Sequence, residues 1–317
     1  MNKAAIPLEV RRHKLVARVR NAIADQNVVV GVSGGADSVA LLLLCCAAAL
    51  QESANFTVLA AHVHHGLRKE SDDEQLFVET LCTSLGIECV SRQITVQPIH
   101  GSVAAGARKM RYKILQEIAV DTEFPVVTVA HHAEDQLETM LMALCRGGGL
   151  RKLSGIATVR PLCNEVDLIR PLLHVEKKEL EHICELANVQ WCEDQTNLDP
   201  TTPRGRLRQD VIPVLRELWN SADRHAANAS TLLHSATDAF LENVPDGNEW
   251  NRKLLAKLPL PIIDATLQQA IGDTATFETI QSISKSVVDT NTHARTFQLK
   301  DGCKTVITSK TVTVVHS

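Results

Sequence analysis

The feature that most constrains the fold is the hexapeptide SGGADS at residues 33–38, which separates two apolar runs. The run before it, residues 28–32, is rich in valine and predicts a buried β-strand. The run after it, residues 39–50, predicts a helix that begins at Ser38. The N–H groups of the bend and of the first helical turn then point to one place, which predicts an anion-binding turn suited to phosphate.

Asp37 gives this turn an unusual charge, because a Walker-type loop would instead end in Gly-Lys-Ser or Gly-Lys-Thr. A carboxylate repels phosphate oxygens unless a divalent cation lies between them, and hard oxygen ligands favour Mg²⁺. The alternative is that Asp37 and Ser38 only cap a buried helix. The predicted nucleotide-binding residues of the turn, with Asp37 also the predicted metal ligand, are Ser33, Gly34, Gly35, Ala36, Asp37 and Ser38.

The composition is that of a folded intracellular protein. A chain of 317 residues with 44% hydrophobic content is long enough for two domains with their own cores. The longest apolar run is too short to cross a bilayer, and the charged N-terminal residues are unlike a signal peptide, so we expect no membrane association and a cytoplasmic location. The nine cysteines include no Cys-x-x-Cys pair, which predicts reduced thiols.

Strand-like and helix-like segments alternate through the first half of the chain, which predicts an α/β fold with a parallel, Rossmann-like sheet. The predicted strands are 28–32, 57–63, 88–96 and 126–130, and the helices after them end at residues 50, 85, 120 and 144. Parallel sheets bind ligands beyond the carboxyl ends of their strands. The polar segments 33–38, 62–68 and 131–135 lie at those ends, so we expect a composite site there.

A change in the sequence pattern predicts a second, smaller and mostly helical domain. We expect the two domains to comprise residues 1–210 and 211–317. Helical spacing continues at 175–188, 212–218, 222–241 and 277–288. Residues 296–315 alternate as short strands do, with Asp301 and Gly302 as a hairpin turn.

Three histidines lie close together after the second predicted strand. His62 and His64 share one side of the strand and His65 does not, so a zinc site is the weaker interpretation. A histidine-rich surface turn is the plain alternative. We favour a role for His62 and Arg68 in contacting the nucleotide, since arginine suits phosphate oxygens.

Acidic residues open the helix that follows the fourth predicted strand. Asp135 and Glu138 lie on one helical face at the same sheet edge as Asp37, where carboxylates can hold a metal or an ammonium group. The alternative is that this charge only complements the helix dipole.

The loop resembles the PP-loop signature SGGxDS of the ATP pyrophosphatases, which implies ATP as substrate and cleavage between its α and β phosphates. Over roughly residues 28–214 the chain resembles the tRNA(Ile)-lysidine synthetase family, which implies a fold of the adenine nucleotide alpha hydrolase type. The motifs that carry this resemblance are SGGADS, HVHHGLR, GARKMRY, AHHAEDQLETMLMALCRGGGLRKLSGI, IRPLL and EDQTNLDPTTPRGRLR.

The resemblance implies a reaction and its partners. ATP adenylates the wobble cytidine of the isoleucine tRNA with a CAU anticodon, and the amine of free L-lysine then displaces AMP, so that a methionine anticodon becomes an isoleucine one. Mg²⁺ would assist the adenylation step as a cofactor. A homodimer is among the assemblies that the resemblance allows.

The resemblance and the charge pattern together predict the site. The expected catalytic residues are Asp37, Arg108, Arg111 and Asp135. The residues expected to contact tRNA or lysine are His132, Asp135, Glu138, Arg146, Arg204, Arg206 and Arg208. The net charge of −4 means that such local arginine clusters must supply the attraction for RNA.

The sequence departs from the family pattern at three positions, His64, Glu134 and Gly205, where the family usually has Asp, Asp and Asn. Two other functions stay open. PP-loop tRNA 2-thiolation enzymes share the loop but usually carry Cys-x-x-Cys pairs or a cluster, which disfavours sulfur transfer here. An ATP-binding module without chemistry would need only the loop and the sheet.

Overall fold

The structure is a computed structural model that describes residues 1–64, 70–93, 103–192, 202–291 and 293–316. It divides into two compact units: residues 1–146 with 154–230, and residues 147–153 with 231–317. Across the described residues, no helix combines the length and the apolar character that a membrane span requires. The boundary at 210 stays a prediction, and residues 211–230 belong to the first unit.

The first unit is built on a six-stranded sheet of order β3-β2-β1-β4-β6-β5. Its strands are β1 Val28–Gly31, β2 Val58–His64, β3 Glu88–Gln93, β4 Val126–Thr128, β5 Val159–Cys163 and β6 Val166–Ile169. All pairs are parallel except β5 with β6, and β1 pairs with β2 on one side and β4 on the other. The connections change direction between β1 and β4, and such a switch point is where open α/β sheets bind ligands.

Helices cover both faces of this sheet. In the first unit they are α1 Leu8–Arg11, α2 Lys14–Ile23, α3 Ala36–Ala49, α4 Glu70–Leu85, α5 Val103–Asp121, α6 Ala133–Cys145, α8 Lys177–Leu186, α9 Pro203–Arg206, α10 Ile212–Leu218 and the start of α11 Ala222–Leu241. One face packs α2, α3 and α8 against alternate residues such as Val28 and Val30. The other packs α5 against Val29 and Val127. The valine strands therefore have no exposed face, as parallel sheets require.

The second unit contains α7 Leu150–Leu153, the rest of α11, α12 Arg252–Leu255, α13 Leu260–Ile271 and α14 Phe277–Val288. A four-stranded antiparallel sheet of order β7-β10-β9-β8 accompanies them, with β7 Glu249–Asn251, β8 Arg295–Gln298, β9 Lys304–Ile307 and β10 Thr311–Val315. Its core joins apolar residues of α13 and α14, including Ile263 and Ile283, to Val312 of the sheet. The turn predicted at Asp301 connects β8 to β9.

The α/β fold class and the mostly parallel sheet are confirmed, with local corrections. Helix α3 begins at Ala36, two residues before the predicted start at Ser38. The antiparallel edge strand β5 was not predicted, because Pro161 and a bulge interrupt its pattern. Helix α8 is shorter than the predicted 175–188. The predicted strand 88–96 is described only as far as Gln93.

Candidate functional site

The loop between β1 and α3 has the backbone of an anion-binding turn. Gly34 has a φ of +95°, which side-chain-bearing residues rarely adopt. Gly35 is the N-cap of α3 and offers no side chain, so nothing from the cap occupies the first N–H groups of the helix. The Ser38 hydroxyl donates to the Gly35 carbonyl at 2.9 Å and accepts from the Ser33 N–H at 3.1 Å. Ser38 is buried, so it holds the loop in shape, and only Ser33 of the two serines is exposed.

Asp37 lies in the first turn of α3 with its side chain 31% exposed. Its Oδ2 is 3.4 Å from His132 Nε2. Its Oδ1 is buried and accepts no hydrogen bond. A buried carboxylate oxygen without a donor is a costly arrangement in the absence of a ligand, and it suits coordination of a hard divalent cation. The residues present at the loop therefore fit Mg²⁺.

His132 links the loop to α6. It is buried, and as the N-cap of α6 its Nδ1 accepts the N–H of Glu134 at 3.3 Å. Burial lowers the pKa of His132, but Asp135, Asp37 and Glu134 outweigh it and raise the pKa to about 9. The three carboxylates therefore favour the charged ring, in which Nδ1 carries a proton and no longer accepts from the N–H of Glu134.

His62 supports the loop from β2. Its Nδ1 is 2.9 Å from the carbonyl of Val32, the residue before the loop, and its Nε2 is buried without a partner. Burial lowers the pKa of His62, so the ring is neutral and donates from Nδ1. The predicted contact between His62 and the nucleotide stays a prediction. In the structure, His62 holds the residue before the loop through its hydrogen bond to Val32. Arg68 lies outside the described residues.

Asp135 and Glu138 are bound by arginines of the same unit. Glu138 is fully buried, and it accepts hydrogen bonds from Arg204 Nε at 2.5 Å and from Arg208. Arg208 also donates to Asp135 Oδ1 at 3.1 Å. Burial raises the pKa of Asp135, but His132, His131 and Arg208 outweigh it and hold the pKa well below its ordinary value. Arg204 and Arg208 were predicted to contact tRNA. In the structure their guanidinium groups form ion pairs with carboxylates.

Helical geometry explains how two arginines reach one carboxylate. Arg204 is the second residue of α9, and Arg208 lies in the π-helical turn Leu207–Val211 that follows directly. Residues four apart lie on the same helical face, so both side chains point at Glu138. Arg206 lies on another face, with its side chain 70% exposed and 3.2 Å from Asp210. Of these three arginines, Arg206 is the most exposed, and its guanidinium does not pair with the carboxylates of α6.

The positions that depart from the family pattern have structural roles here. Glu134 is buried and bonds Arg216, which also bonds Asp223 at 2.7 Å. His64 is buried with Nε2 at 3.0 Å from Asp72 Oδ1. Gly205 is buried and donates to Thr202 Oγ1 at 3.0 Å. Among the described residues, no group of three or more His, Cys, Asp or Glu side chains is arranged to hold a metal ion.

Arg108 and Arg111 of α5 lie at the ring of Tyr112, at 5.2 and 5.5 Å from its centroid. Arg108 Nη1 is also 3.5 Å from His131 Nε2. Arg146, by contrast, is an exposed C-cap at the far end of α6. The structure thus brings Asp37, His132, Asp135 and Glu138 together, and separates Arg146 from them by the length of a helix.

Sequence reasoning missed two further arginines. Arg160 in β5 has its guanidinium 4.9 Å from the centroid of Tyr112, and Arg170 directly follows β6 and is buried. Both occur in an Arg-Pro pair, at 160–161 and 170–171. The first pair lies within β5 and the second follows β6, and the repeated pair, with the motif IRPLL that contains Arg170, was the signal that could have drawn attention to them.

The chain is similar to curated proteins over 62–75% of its length. The chain is 35% identical over 196 residues to a tRNA(Ile)-lysidine synthase of Histophilus somni, covering 62% of this chain and 45% of that protein. It is 37% identical over 239 residues to one of Pseudomonas aeruginosa (75% and 52%), and 34% identical over 231 residues to one of Actinobacillus pleuropneumoniae (71% and 53%). The chain therefore spans about half the length of the curated relatives it matches.

The fold is shared with a solved structure, the U34-tRNA thiolase NcsA from Methanococcus maripaludis, described with its [4Fe-4S] cluster. The TM-score is 0.57 at 18% identity, over 70% of this chain and 78% of that one. The sequence profile of the PP-loop domain matches residues 8–215, which include both the loop and the carboxylates around His132. A match over that much of the chain shows that the protein belongs to the PP-loop domain family.

Proposed function

We propose that this chain is a tRNA(Ile)-lysidine synthetase, which uses ATP to join free L-lysine to the wobble cytidine of the isoleucine tRNA with a CAU anticodon. The observation that carries the proposal is the meeting of the SGGADS loop with His132 and Asp135 at the switch point of the sheet. The PP-loop domain profile that matches residues 8–215 covers this site, and the chain is 34–37% identical to three proteins named tRNA(Ile)-lysidine synthase.

The reaction has two balanced steps. The base oxygen of the cytidine attacks the α-phosphorus of ATP, and pyrophosphate leaves. The ε-amine of lysine then attacks the activated ring carbon, a proton is lost from nitrogen, and AMP leaves with the oxygen. Mg²⁺ held by Asp37 would supply positive charge to the phosphates when bound.

The residues of the loop serve the first step. The unoccupied N–H groups at the start of α3 bind phosphate oxygens and stabilise the charge that develops on pyrophosphate. His132 keeps the Asp37 carboxylate in place through the contact between its Nε2 and Oδ2. Arg108, exposed on α5, is the candidate for the α-phosphate or the target base.

Binding of lysine calls for a negative group facing solvent. Glu138 is fully buried and already bound by two arginines, so a lysine ammonium at this carboxylate would have to displace Arg204 or Arg208. Asp135 keeps a partly exposed carboxylate, with its side chain 13% exposed. Of the two predicted lysine-binding residues, Asp135 is the better placed.

Incubation of the protein with ATP, radiolabelled lysine and a transcript of the minor isoleucine tRNA tests the proposal. The expected result is label in RNA, dependent on ATP and lost when cytidine 34 of the transcript is replaced by uridine. Omission of Mg²⁺ with added chelator should abolish labelling. A protein that hydrolyses ATP yet leaves RNA unlabelled under all conditions would contradict the proposed function.

A further inference from the structure

The six-stranded sheet has two edges, β3 and β5, and they differ in how they are protected. An edge strand presents unpaired N–H and C=O groups that can pair with another chain. In β5, Pro161 and a shift in register interrupt the edge. Strand β3 has neither, because all six of its residues pair with β2 in a continuous register. Within the part of the chain that the structure describes, β3 is therefore an edge that is open to a further strand.

The charges of β3 lie toward its two ends. Glu88 begins the strand and Arg92 is its fifth residue, and both are exposed. The three residues between them, Cys89, Val90 and Ser91, are uncharged and half-buried. Arg92 Nη1 lies 3.5 Å from the carbonyl of Ser91, and among the described residues neither Glu88 nor Arg92 forms an ion pair. The open edge thus carries one unpaired charge of each sign, four residues apart.

This charge pattern is complementary to itself when the strand is reversed. Antiparallel pairing of two copies about an axis at Val90 places Glu88 of each copy opposite Arg92 of the other. Opposite charges directly across an antiparallel pair stabilise it, whereas like charges destabilise it. A two-fold axis repeats every contact, so the pairing contains two such charge pairs. A shift of one residue in register removes both pairs, so the charges also specify the register.

Both faces of β3 are anchored to the rest of the unit. On one face, the Ser91 hydroxyl donates to Glu79 Oε1 of α4 at 2.8 Å, and Gln75 donates to the same oxygen at 2.8 Å. On the other face, Val90 packs against the core that contains α5. The strand is therefore held in its extended conformation before any partner arrives, which lowers the entropy cost of pairing.

The surface of α4 beside this edge is apolar. Leu76 is 65% exposed. The hydroxyls of Thr80 and Thr83 donate to the carbonyls of Leu76 and Glu79 at 2.7 and 2.8 Å, which leaves their methyl groups toward solvent. Leu76 and Thr83 lie on the same flank of α4 as Glu79, the residue that reaches β3, because they are three and four residues from it. An apolar flank thus accompanies the open strand.

We propose that β3 pairs with β3 of a second copy of this chain, antiparallel and about a two-fold axis at Val90, so that two six-stranded sheets become continuous. The flanks of α4 that carry Leu76 and Thr83 contact each other beside the axis, on one face of the joined sheet. Because the paired strands run in opposite directions, the carboxyl edges of the two sheets point away from each other. The dimer leaves both SGGADS loops open, and the assignment does not depend on the reaction that they serve.

Sedimentation equilibrium of the full chain over a range of concentrations tests the pairing by charge reversal. Arg92→Glu and Glu88→Arg each bring like charges together in both pairs, and each should raise the dimer dissociation constant by about tenfold or more. The double variant Glu88→Arg/Arg92→Glu restores opposite charges and should restore the dissociation constant. Arg12→Glu, at the exposed C-cap of α1, is the matched control for the change in net charge and should have no effect.

Amide hydrogen exchange provides a second readout without any substitution. The amides of residues 88–93 should exchange more slowly at concentrations where the dimer forms than at concentrations where the monomer prevails. A chain that stays monomeric throughout, or a dimer equally stable in both single reversals, would overturn the proposal. Charges that only protect the edge predict the reverse result, in which replacement of Glu88 and Arg92 by glutamine strengthens association. Neither measurement uses ATP or tRNA, so its outcome is separate from that of lysine incorporation.

Discussion

Nε2 of His132 lies 3.4 Å from Oδ2 of Asp37, so the N-cap residue of α6 contacts the second residue of α3. The contact connects the ends of β1 and β4, the two strands at the switch point of the sheet. The remaining oxygen of Asp37 is buried and unbound. The two oxygens of this carboxylate therefore differ, because Oδ2 contacts His132 and Oδ1 accepts no hydrogen bond.

Replacement of that carboxylate by an amide tests its role. Asp37→Asn keeps the size of the side chain and its place in the helix, and Asp135 still pairs with His132, so the protein should stay folded. Pyrophosphate release in the presence of tRNA should fall by about 100-fold or more, the range seen when a group that stabilises transition-state charge is lost. Full turnover in the amide variant would show that Asp37 serves only as a helix-terminal residue.

The pairing of Arg208 with Glu138 predicts a large effect on stability. Arg208→Ala leaves the fully buried Glu138 with one arginine in place of two, and the free energy of unfolding should fall by about 3 kcal/mol. Arg206→Ala is the matched control, because its exposed pair with Asp210 is worth about 0.5 kcal/mol or less. Urea unfolding measures both, and similar small losses would contradict the structural role of Arg208.

Exposed arginines should carry the attraction for RNA. Arg206 and Arg146 are exposed, whereas Arg208 is bonded to carboxylates. Arg206→Gln and Arg146→Gln should each weaken binding of the tRNA transcript and lower the salt slope by up to about one unit, with ATP affinity unchanged. Filter binding across a salt series checks this. A variant whose slope equals that of the unmodified protein has lost no phosphate contact.

Acid should destabilise the protein through Asp135. The folded-state pKa of this carboxyl is lowered, so its contribution to stability is present above the ordinary value of 3.8 and is lost as the pH falls toward the folded-state pKa. The free energy of unfolding should therefore decrease by up to about 1.4 kcal/mol per pH unit below about pH 4. Asp135→Asn should be less stable at neutral pH and show a shallower acid dependence. Parallel curves for the two proteins would remove Asp135 as the cause.

The order of the chemical steps is open to direct test. If activation of the base comes first, ATP and tRNA without lysine should yield adenylated RNA or slow release of AMP. A lysine analogue with a hydroxyl in place of the ε-amine should not enter the RNA. Mass analysis of the products distinguishes this order from activation of the amino acid, which would yield lysyl-AMP and no modified RNA.

Local sequence patterns predicted the bounds of three helices. The bounds of α10, α11 and α14 follow the predicted ranges, because each has a continuous helical face. The start of α3 was misplaced by two residues because Ala36 and Asp37 are compatible with either a loop or a first helical turn. Edge strand β5 was missed since its residues are half exposed and one is proline.

The sequence predicted where the site lies, but it did not predict which side chains contact each other there. Polar residues after β1 and β4 indicated one sheet edge, as parallel topology requires. Nothing local indicates that Arg208 reaches Glu138, because the contact joins residues 70 positions apart and depends on how α9 packs. For the same reason Arg160 and Arg170 could not be connected with Tyr112 before the strands were placed.

Helix α3 is buried on nearly every side, including all residues from Ser38 to Ala48. A helix enclosed in this way cannot tilt or slide to meet a ligand, so the loop at its start has its shape settled when the chain folds. The conformational entropy of that loop is thus lost before any nucleotide arrives, and binding there should order very little additional chain. The nucleotide should accordingly bind to a preformed loop. The association rate should depend on diffusional encounter rather than on rearrangement of the protein.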